Sequence, residues 1–260
     1  MALEFCSVAR EGRLTVVTLN RPEAMNALHS AAHFELARVF DDFAADPEQW
    51  VAIVTGAGPK AFCAGSDLKV IASGASNERP PSGFCGLTAR FDLDKPLIAA
   101  VNGVAMGGGF EIALACDLVI ASDNAVFALP EPRVGLAAFA GGVQRLPRQI
   151  GLKAAMGIIL TGRRVEAREA LALGIVNEVV PQAGLMDAAR KWAGWILECS
   201  PMAVRASKAA AMRGLAETTV EAALGALGDY SAVKEWKASD DYVEGPLAFA
   251  AKRKPQWKGR

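Results

Sequence analysis

Two glutamates twenty positions apart sit in frames that otherwise read as core: Glu111 in GGGFEIALACD and Glu131 in FALPEPRVGL. Ile112, Ala113, Leu114 and Ala115 follow the first, and Phe127, Ala128 and Leu129 precede the second. A carboxylate in such surroundings is costly unless it is paired, solvated or used. Two of them together point to a shared proton-handling site. Each also has a plainer reading. Glu111 follows a glycine run that opens a helix, where exposed amides and the helix dipole favour a carboxylate. Glu131 lies between Pro130 and Pro132 and reads equally as a loop acid.

Two small-residue loops offer backbone donors. Gly107-Gly108-Gly109 joins a strand to a helix, so successive amides can converge on a developing negative charge. AFCAGSDLK runs Ala61, Ala64 and Gly65 into Ser66 and Asp67, which could simply cap a helix. In the functional reading the Ser66 amide meets the Gly108 amide, a pair suited to a thioester carbonyl becoming an enolate. Phosphate binding is the competing use of glycine. No GxxxxGK[ST] is present, and VAIVTGAGPKA imitates a dinucleotide fingerprint but fails on Pro59, on Gly65 soon after, and on the lack of a long following helix.

The positioning elements follow from periodicity and turn chemistry. Strands are predicted at 13–20, 51–55, 97–102, 118–121, 125–127 and 176–180. Helices are predicted at 30–44, 67–73, about 108–115, 152–160, 167–173, 185–199, 201–213 and 218–240, with the chain turning mostly helical from Leu146. GASNERPPS, residues 74–82, reads as a mobile surface loop. Strands dominate the first half and helices the last third, which indicates an α/β protein with a helical C-terminal region from Leu185. The Ala-rich helices from Pro201 to Gly228 would make a thin core alone, which suggests packing against another subunit. No repeat period is visible.

Composition excludes several classes. In 260 residues, 52 % are hydrophobic, enough for a sizeable core, and Lys+Arg and Asp+Glu balance at 28 each, so no global field points to nucleic acid or an anionic membrane. Met1–Arg10 has no signal-peptide run, and the apolar stretch Leu97 to Ala121 is broken by Asn102, glycines, Glu111 and Asp117, so no membrane span is expected. Five cysteines without CxxC read as reduced cytosolic thiols. His29 and His33 could share a helix face, but no second cluster completes a metal site.

NRPEAMNAL, AFCAGSDLK, KPLIAAVNGVAMGGGFEIALACD, FALPEPRVGL, GGVQRLPRQIG, LTGRRVEAREALALGIVNEVV and the tail PLAFAAKRKPQWKGR, in that order, resemble the enoyl-CoA hydratase/isomerase (crotonase) superfamily from about residue 10 to the end. The resemblance implies a crotonase-like spiral of ββα units over residues 1–184, holding an acyl-CoA site, and a C-terminal helical trimerisation region over 185–260. It implies homotrimers, often paired as hexamers, and coenzyme A thioester substrates in cytoplasmic fatty acid metabolism. No metal or redox cofactor is implied, coenzyme A being part of the substrate.

Carried over residue by residue, the resemblance puts Ser66 and Gly108 on the two oxyanion amides and Glu111 and Glu131 on the two hydratase acids. It puts Glu111 on water activation and Glu131 on the α-proton. Ala24, Met25, Ala64, Asp67 and Leu68 fall along the nucleotide and pantetheine path, and Phe249 and Lys252 on tail residues that reach a neighbour's coenzyme A. Three departures stand out. Glu23 occupies a place often held by lysine, Ser66 replaces a common alanine, and Phe139 stands where many members have a small residue and diene isomerases an aspartate.

Both acids argue for water addition or removal, so an enoyl-CoA hydratase is the expectation. GFCGLTARFDLDKPLIAAVNG and the tail resemble the carnitinyl-CoA dehydratase branch, which acts on a thioester bearing a quaternary ammonium. Phe139 could meet such a cation through its ring face. It could also line an acyl pocket or turn outward into a subunit contact. A third reading, an RNA-binding relative using the basic tail and Trp257, is opposed by the balanced charge.

Overall fold

The computed structural model describes residues 3–260, so the first two residues of the Met1–Arg10 start lie outside the described residues. Ten strands form two sheets: β1 (Cys6–Glu11), β2 (Leu14–Leu19), β3 (Val51–Gly56), β4 (Ala61–Cys63), β5 (Leu97–Val101), β6 (Val104–Met106), β7 (Leu118–Ser122), β8 (Val126–Ala128), β9 (Val165–Glu166) and β10 (Glu178–Val180). The larger sheet has the order β1-β2-β3-β5-β7-β10 and the smaller β4-β6-β8-β9. Apart from the β1–β2 hairpin and the antiparallel β8–β9 pair, the ladders are parallel.

Successive pairs β3/β4, β5/β6 and β7/β8 each give their first strand to the larger sheet and their second to the smaller, so the chain winds as a spiral. The units begin at Val51, Leu97 and Leu118, at uneven intervals. A repeat in space therefore leaves no period in the sequence.

Both faces of the larger sheet are covered, which is why its strands are nearly continuous apolar runs. Ala52, Val54, Ala99, Val101, Val119 and Ala121 face the main core with α1 (Ser30–Ala45), whose Leu36, Phe40 and Phe43 are buried there. After the short α2 (Leu68–Ala72), α3 (Gly108–Ala115) adds Phe110, Ile112 and Leu114 to the same core. Then follow α4 (Gly142–Gln149), α5 (Leu152–Thr161), α6 (Ala167–Ala172) and α7 (Leu185–Leu197). Helix α7 lays Leu185, Ala188, Ala189 and Ala193 against the opposite face, on Val16, Ile53, Ile98 and Ile120.

The remaining helices, α8 (Pro201–Gly214), α9 (Val220–Ala226), α10 (Ser231–Lys237) and α11 (Asp240–Ala250), pack mainly on one another. The helical region from Leu185 thus has two parts, one seated on the sheet and one beyond it. Met212, Leu215, Val220, Leu224, Leu247 and Phe249 on the outer part are exposed in the single chain. The basic tail doubles back instead of trailing into solvent. Asp241 accepts from the Lys258 amide at 2.7 Å, Glu244 pairs with Arg253 at 2.6 Å, and the Trp257 indole donates to the Glu198 carbonyl at 2.9 Å.

Differences from the predicted elements have local causes. The single helix expected over 218–240 is divided by a 3-10 turn, Leu227–Asp229, and the extended backbone of Tyr230, where Gly228 weakens helical continuation. Helix α4 starts at Gly142, its glycine-rich opening and internal Pro147 having concealed it. Strands β1, β4, β6 and β9 were not predicted; β4 and β6 are three residues each and β9 two, too short for alternation to show. Among the described residues no helix is long and apolar enough to cross a membrane, and all five cysteines are free, four of them buried.

Candidate active site

Strands β4, β6 and β8 lie side by side and parallel, and each runs off its C-terminal end into one candidate loop. Ser66 lies just beyond β4, Gly108 just beyond β6 and Glu131 just beyond β8. The C-terminal edge of a parallel sheet is where loops and helix N-termini converge on ligands. Residues remote in sequence are thereby gathered in one place.

The first loop is held by the NRPEAMNAL segment. Leu28 pairs with Ser66 as a parallel bridge: its amide donates to the Gly65 carbonyl at 2.8 Å and its carbonyl accepts from the Asp67 amide at 2.9 Å. In that pattern Ser66's own N–H points to the side away from Leu28. Gly65, at φ +94°, presses against the second loop, and a Cβ there would lie 3.2 Å from the Gly108 nitrogen. The Gly108 amide opens α3 and so has no acceptor within the helix. Beneath Gly108 lies the buried ring of Phe84, which any side chain at 108 would strike.

Glu111, in the first turn of α3, is buried. Its amide donates to the Gly107 carbonyl at 2.9 Å, and its Oε1 accepts from the Gly142 amide at 2.9 Å. Burial pushes its carboxyl up to about 7; the Gly142 and Ala140 amides oppose this, and the charge of Glu131 adds to it. Burial also raises Glu131, against its own backbone amide. Its Oε2 is buried with no hydrogen-bond partner among the described residues. Its Oε1 lies beside Gly107, where a Cβ would come within 2.7 Å, and Gly107 holds φ +53°. The Gly107 amide donates to the Ala128 carbonyl at 2.9 Å, tying the Glu131 segment to the glycine turn. Glu131 thus lies against Gly107 and Glu111 against Gly142, each favoured in its neutral form, and the charge of Glu131 raises Glu111 further.

Met25 and Asn26 adopt left-handed backbone, and the buried Asn26 amide group donates to the Ala57 and Ala61 carbonyls at 3.0 and 2.8 Å. The Ala64 amide donates to the Met25 carbonyl at 3.0 Å, which sets Ala24 and Met25 beside Ala64. A cleft of about 200 Å³ opens here, lined by Pro22, Met25, Asn26 and residues 57–61. Asp67 caps α2 and pairs with Arg21 at 3.1 Å. Partial burial would raise its carboxyl, but Arg21 and the Val70 amide outweigh that and hold it below its usual range. Leu68 is exposed.

Phe139 is 77 % exposed, close in sequence to the Gly142 amide, with its ring turned out of this chain's core. Phe249 and Lys252 are exposed at the end of α11, and among the described residues no contact brings them to Glu111. The histidines separate. His29 caps α1 through Nδ1, whereas buried His33 accepts from the Cys85 amide at 3.0 Å and packs its ring against Phe84 at a 59° tilt, 4.4 Å between centres. Among the described residues no cluster of His, Cys, Asp and Glu could hold a metal ion. Sequence reasoning missed Gly142 and Phe84. The glycine pair in AFAGGVQRL was a signal for the first; nothing local marked the second.

Known proteins share this arrangement of the whole chain. The chain is 48 % identical to a carnitinyl-CoA dehydratase of Citrobacter koseri over 96 % of its own length and 97 % of that protein's. It superposes on an enoyl-CoA hydratase of Mycobacterium marinum with TM-score 0.92 at 38 % identity, covering 98 % and 99 % of the two chains. It superposes on a carnitinyl-CoA hydratase of Mycobacterium avium with TM-score 0.79 at 42 % identity over the full length of both. The spiral is the crotonase fold. The enoyl-CoA hydratase/isomerase family model matches residues 9–260, and the chain belongs to that family.

Proposed function

We propose that the protein is a hydro-lyase that reversibly adds water to a 2-enoyl-CoA thioester. The observation that carries this reading is a pair of buried carboxyls, Glu111 held by the Gly142 amide and Glu131 set against Gly107, both raised by burial, with the charge of Glu131 adding to the rise of Glu111. Two carboxyls moved toward their neutral forms, Glu111 to about 7, suit a reaction that must take one proton and give one. The thioester carbonyl polarises against the Ser66 and Gly108 amides, and charge from the α,β double bond moves toward its oxygen. Ionised Glu111 takes a proton from water as the oxygen attacks the β-carbon. Neutral Glu131 gives its proton to the α-carbon as the carbonyl re-forms. The pair ends with as many protons as it began, so no metal or redox cofactor enters the balance.

Coenzyme A runs along Ala24, Met25, Ala64, Asp67 and Leu68, with Phe139 at the acyl end. Phe249 and Lys252 reach the coenzyme A of a neighbour in a homotrimer or a pair of trimers. The exposed apolar residues of α8, α9 and α11 support that assembly. Balanced charge and reduced thiols support a cytoplasmic place.

The names of the Citrobacter koseri and Mycobacterium avium relatives favour a second reading, carnitinyl-CoA dehydration. A hydration assay over acyl-CoA substrates including crotonyl-CoA and crotonobetainyl-CoA decides between them. Hydration of crotonyl-CoA at the higher kcat/KM supports the first reading; a preference for crotonobetainyl-CoA supports the second; no hydration of either rejects both.

A further inference from the structure

The loop 74–82 carries two charged side chains, Glu78 and Arg79, both exposed, and the proposed reaction uses neither. The Arg79 guanidinium stands 5.2 Å from the centre of the Phe84 ring, and that ring packs under Gly108. Its positive field reaches Glu111, where it opposes the rise in the carboxyl's pKa, and His33, where it adds to burial in holding the imidazole down to about 4. Arg79 is exposed, and among the described residues no carboxylate pairs with it and no carbonyl accepts from it. Arg145 is different. Although it also feels Glu111, it donates to the Thr88 carbonyl at 2.8 Å and packs on Gly141.

The backbone at Arg79 is stiffened. It precedes Pro80, which is buried, and Pro81, and a residue before proline is confined to extended conformations. The guanidinium is therefore presented from a braced position. The wall below it carries no charge of its own: Phe84 is apolar and His33 is neutral at physiological pH. Burial moves both glutamates toward their neutral forms. A permanent cation held in no ion pair, beside the Phe84 ring that packs under Gly108, discriminates by the charge of what enters.

We infer that Arg79 is a specificity-determining residue that receives a carboxylate carried on the acyl chain and disfavours a quaternary ammonium there. This rests on the acyl-CoA reading of the site. A guanidinium takes a carboxylate through paired N–H donors, whereas a trimethylammonium offers no acceptor and is repelled.

The test uses the full-length protein and three 2-enoyl-CoA substrates of matched length, ending in a methyl, a carboxylate or a trimethylammonium. The readout is the kcat/KM ratio of the carboxylate to the ammonium substrate, in the native protein and in Arg79→Gln and Arg79→Glu. The ratio is expected to exceed one in the native protein and to fall about 10- to 100-fold in Arg79→Gln, the range for a hydrogen bond to a charged group. Arg79→Glu should invert it. General damage to the fold lowers all three substrates together and leaves the ratio in place. A ratio below one in the native protein, or unchanged in both variants, overturns the inference while hydration of the methyl substrate keeps the hydratase reading. If none of the three is hydrated, the same ratio is read from dissociation constants of the saturated acyl-CoAs. Charge-dependent binding that Arg79→Gln removes then upholds Arg79 while hydration falls; charge-independent binding, or none, overturns both.

Discussion

The Gly142 amide donates to Glu111 Oε1 across 31 residues of sequence at 2.9 Å. It joins the first turn of α3 to the start of α4, so the carboxyl is oriented by backbone from another part of the chain. A Cβ on Gly142 would meet Glu111 Cγ and Oε1 at 3.1 Å, so a side chain there would have to push the Glu111 carboxyl aside by a few tenths of an ångström. An oriented carboxyl with a raised pKa is the arrangement expected of a group that moves protons at neutral pH.

If both glutamates carry the chemistry, Glu111→Gln and Glu131→Gln should each lower kcat by about 10²-fold or more, the range for positioned acid–base groups. Coenzyme A binding should be largely retained, because neither side chain lines the cleft between Met25 and residues 57–61. Steady-state kinetics with a product-binding titration reads both quantities. Near-normal turnover in either variant rejects the two-carboxylate mechanism.

Gly107→Ala should disturb Glu131 directly. The new Cβ would stand 2.7 Å from Glu131 Oε1, on a backbone at φ +53°. The strain should cost about 1–3 kcal/mol of stability. Displacing the carboxyl should lower kcat about tenfold or more with a smaller change in KM. A variant with unchanged kcat would mean that the position of Glu131 is immaterial.

The pH dependence of stability has a definite sign. Burial, then the Glu131 charge, raises the folded carboxyl of Glu111 to about 7, against an ordinary value of 4.5. Between these values the folded protein binds more proton than the unfolded chain, so stability from this group is fully present below about 4.5 and is lost as pH rises through 7. The loss is on the order of 3 kcal/mol. Urea unfolding from pH 4.5 to 8.5 should show Glu111→Gln gaining on the native protein as pH rises. Parallel curves would contradict the raised pKa.

Phe139→Ala tests whether the exposed ring shapes the acyl pocket. If it does, kcat/KM should shift toward longer or bulkier acyl groups, by about 1–3 kcal/mol or tenfold to a few hundredfold. Ranking short-, medium- and long-chain enoyl-CoAs with both enzymes measures the shift. An unchanged ranking would assign the ring to a subunit contact.

Removal of the chain after Glu198 deletes α8 to α11 but keeps α7 on the sheet, where its alanines are buried. That truncation should abolish trimers in light scattering while leaving the far-ultraviolet signature of the spiral. A full-length monomer at micromolar concentration would refute the assembly itself.

Much of this was legible from local pattern. The strands 14–19, 51–56 and 97–101 and the helix 108–115 were visible because apolar runs, turn residues and glycine punctuation report backbone geometry one segment at a time. Glu111 and Glu131 were visible because a carboxylate stands out in an apolar frame. The tertiary structure decided which loops meet. Three-residue strands such as β4 and β6 acquire a register only from their neighbours, and their parallel pairing carries Ser66, Gly108 and Glu131 to one edge. The same is true of the Gly142 amide on Glu111, the Phe84 ring under Gly108, and the tail held by Asp241 and Glu244. These are contacts between segments far apart in the chain. Their free energy comes from burying shared surfaces and satisfying polar groups across them, and no window of sequence contains both sides of such a surface.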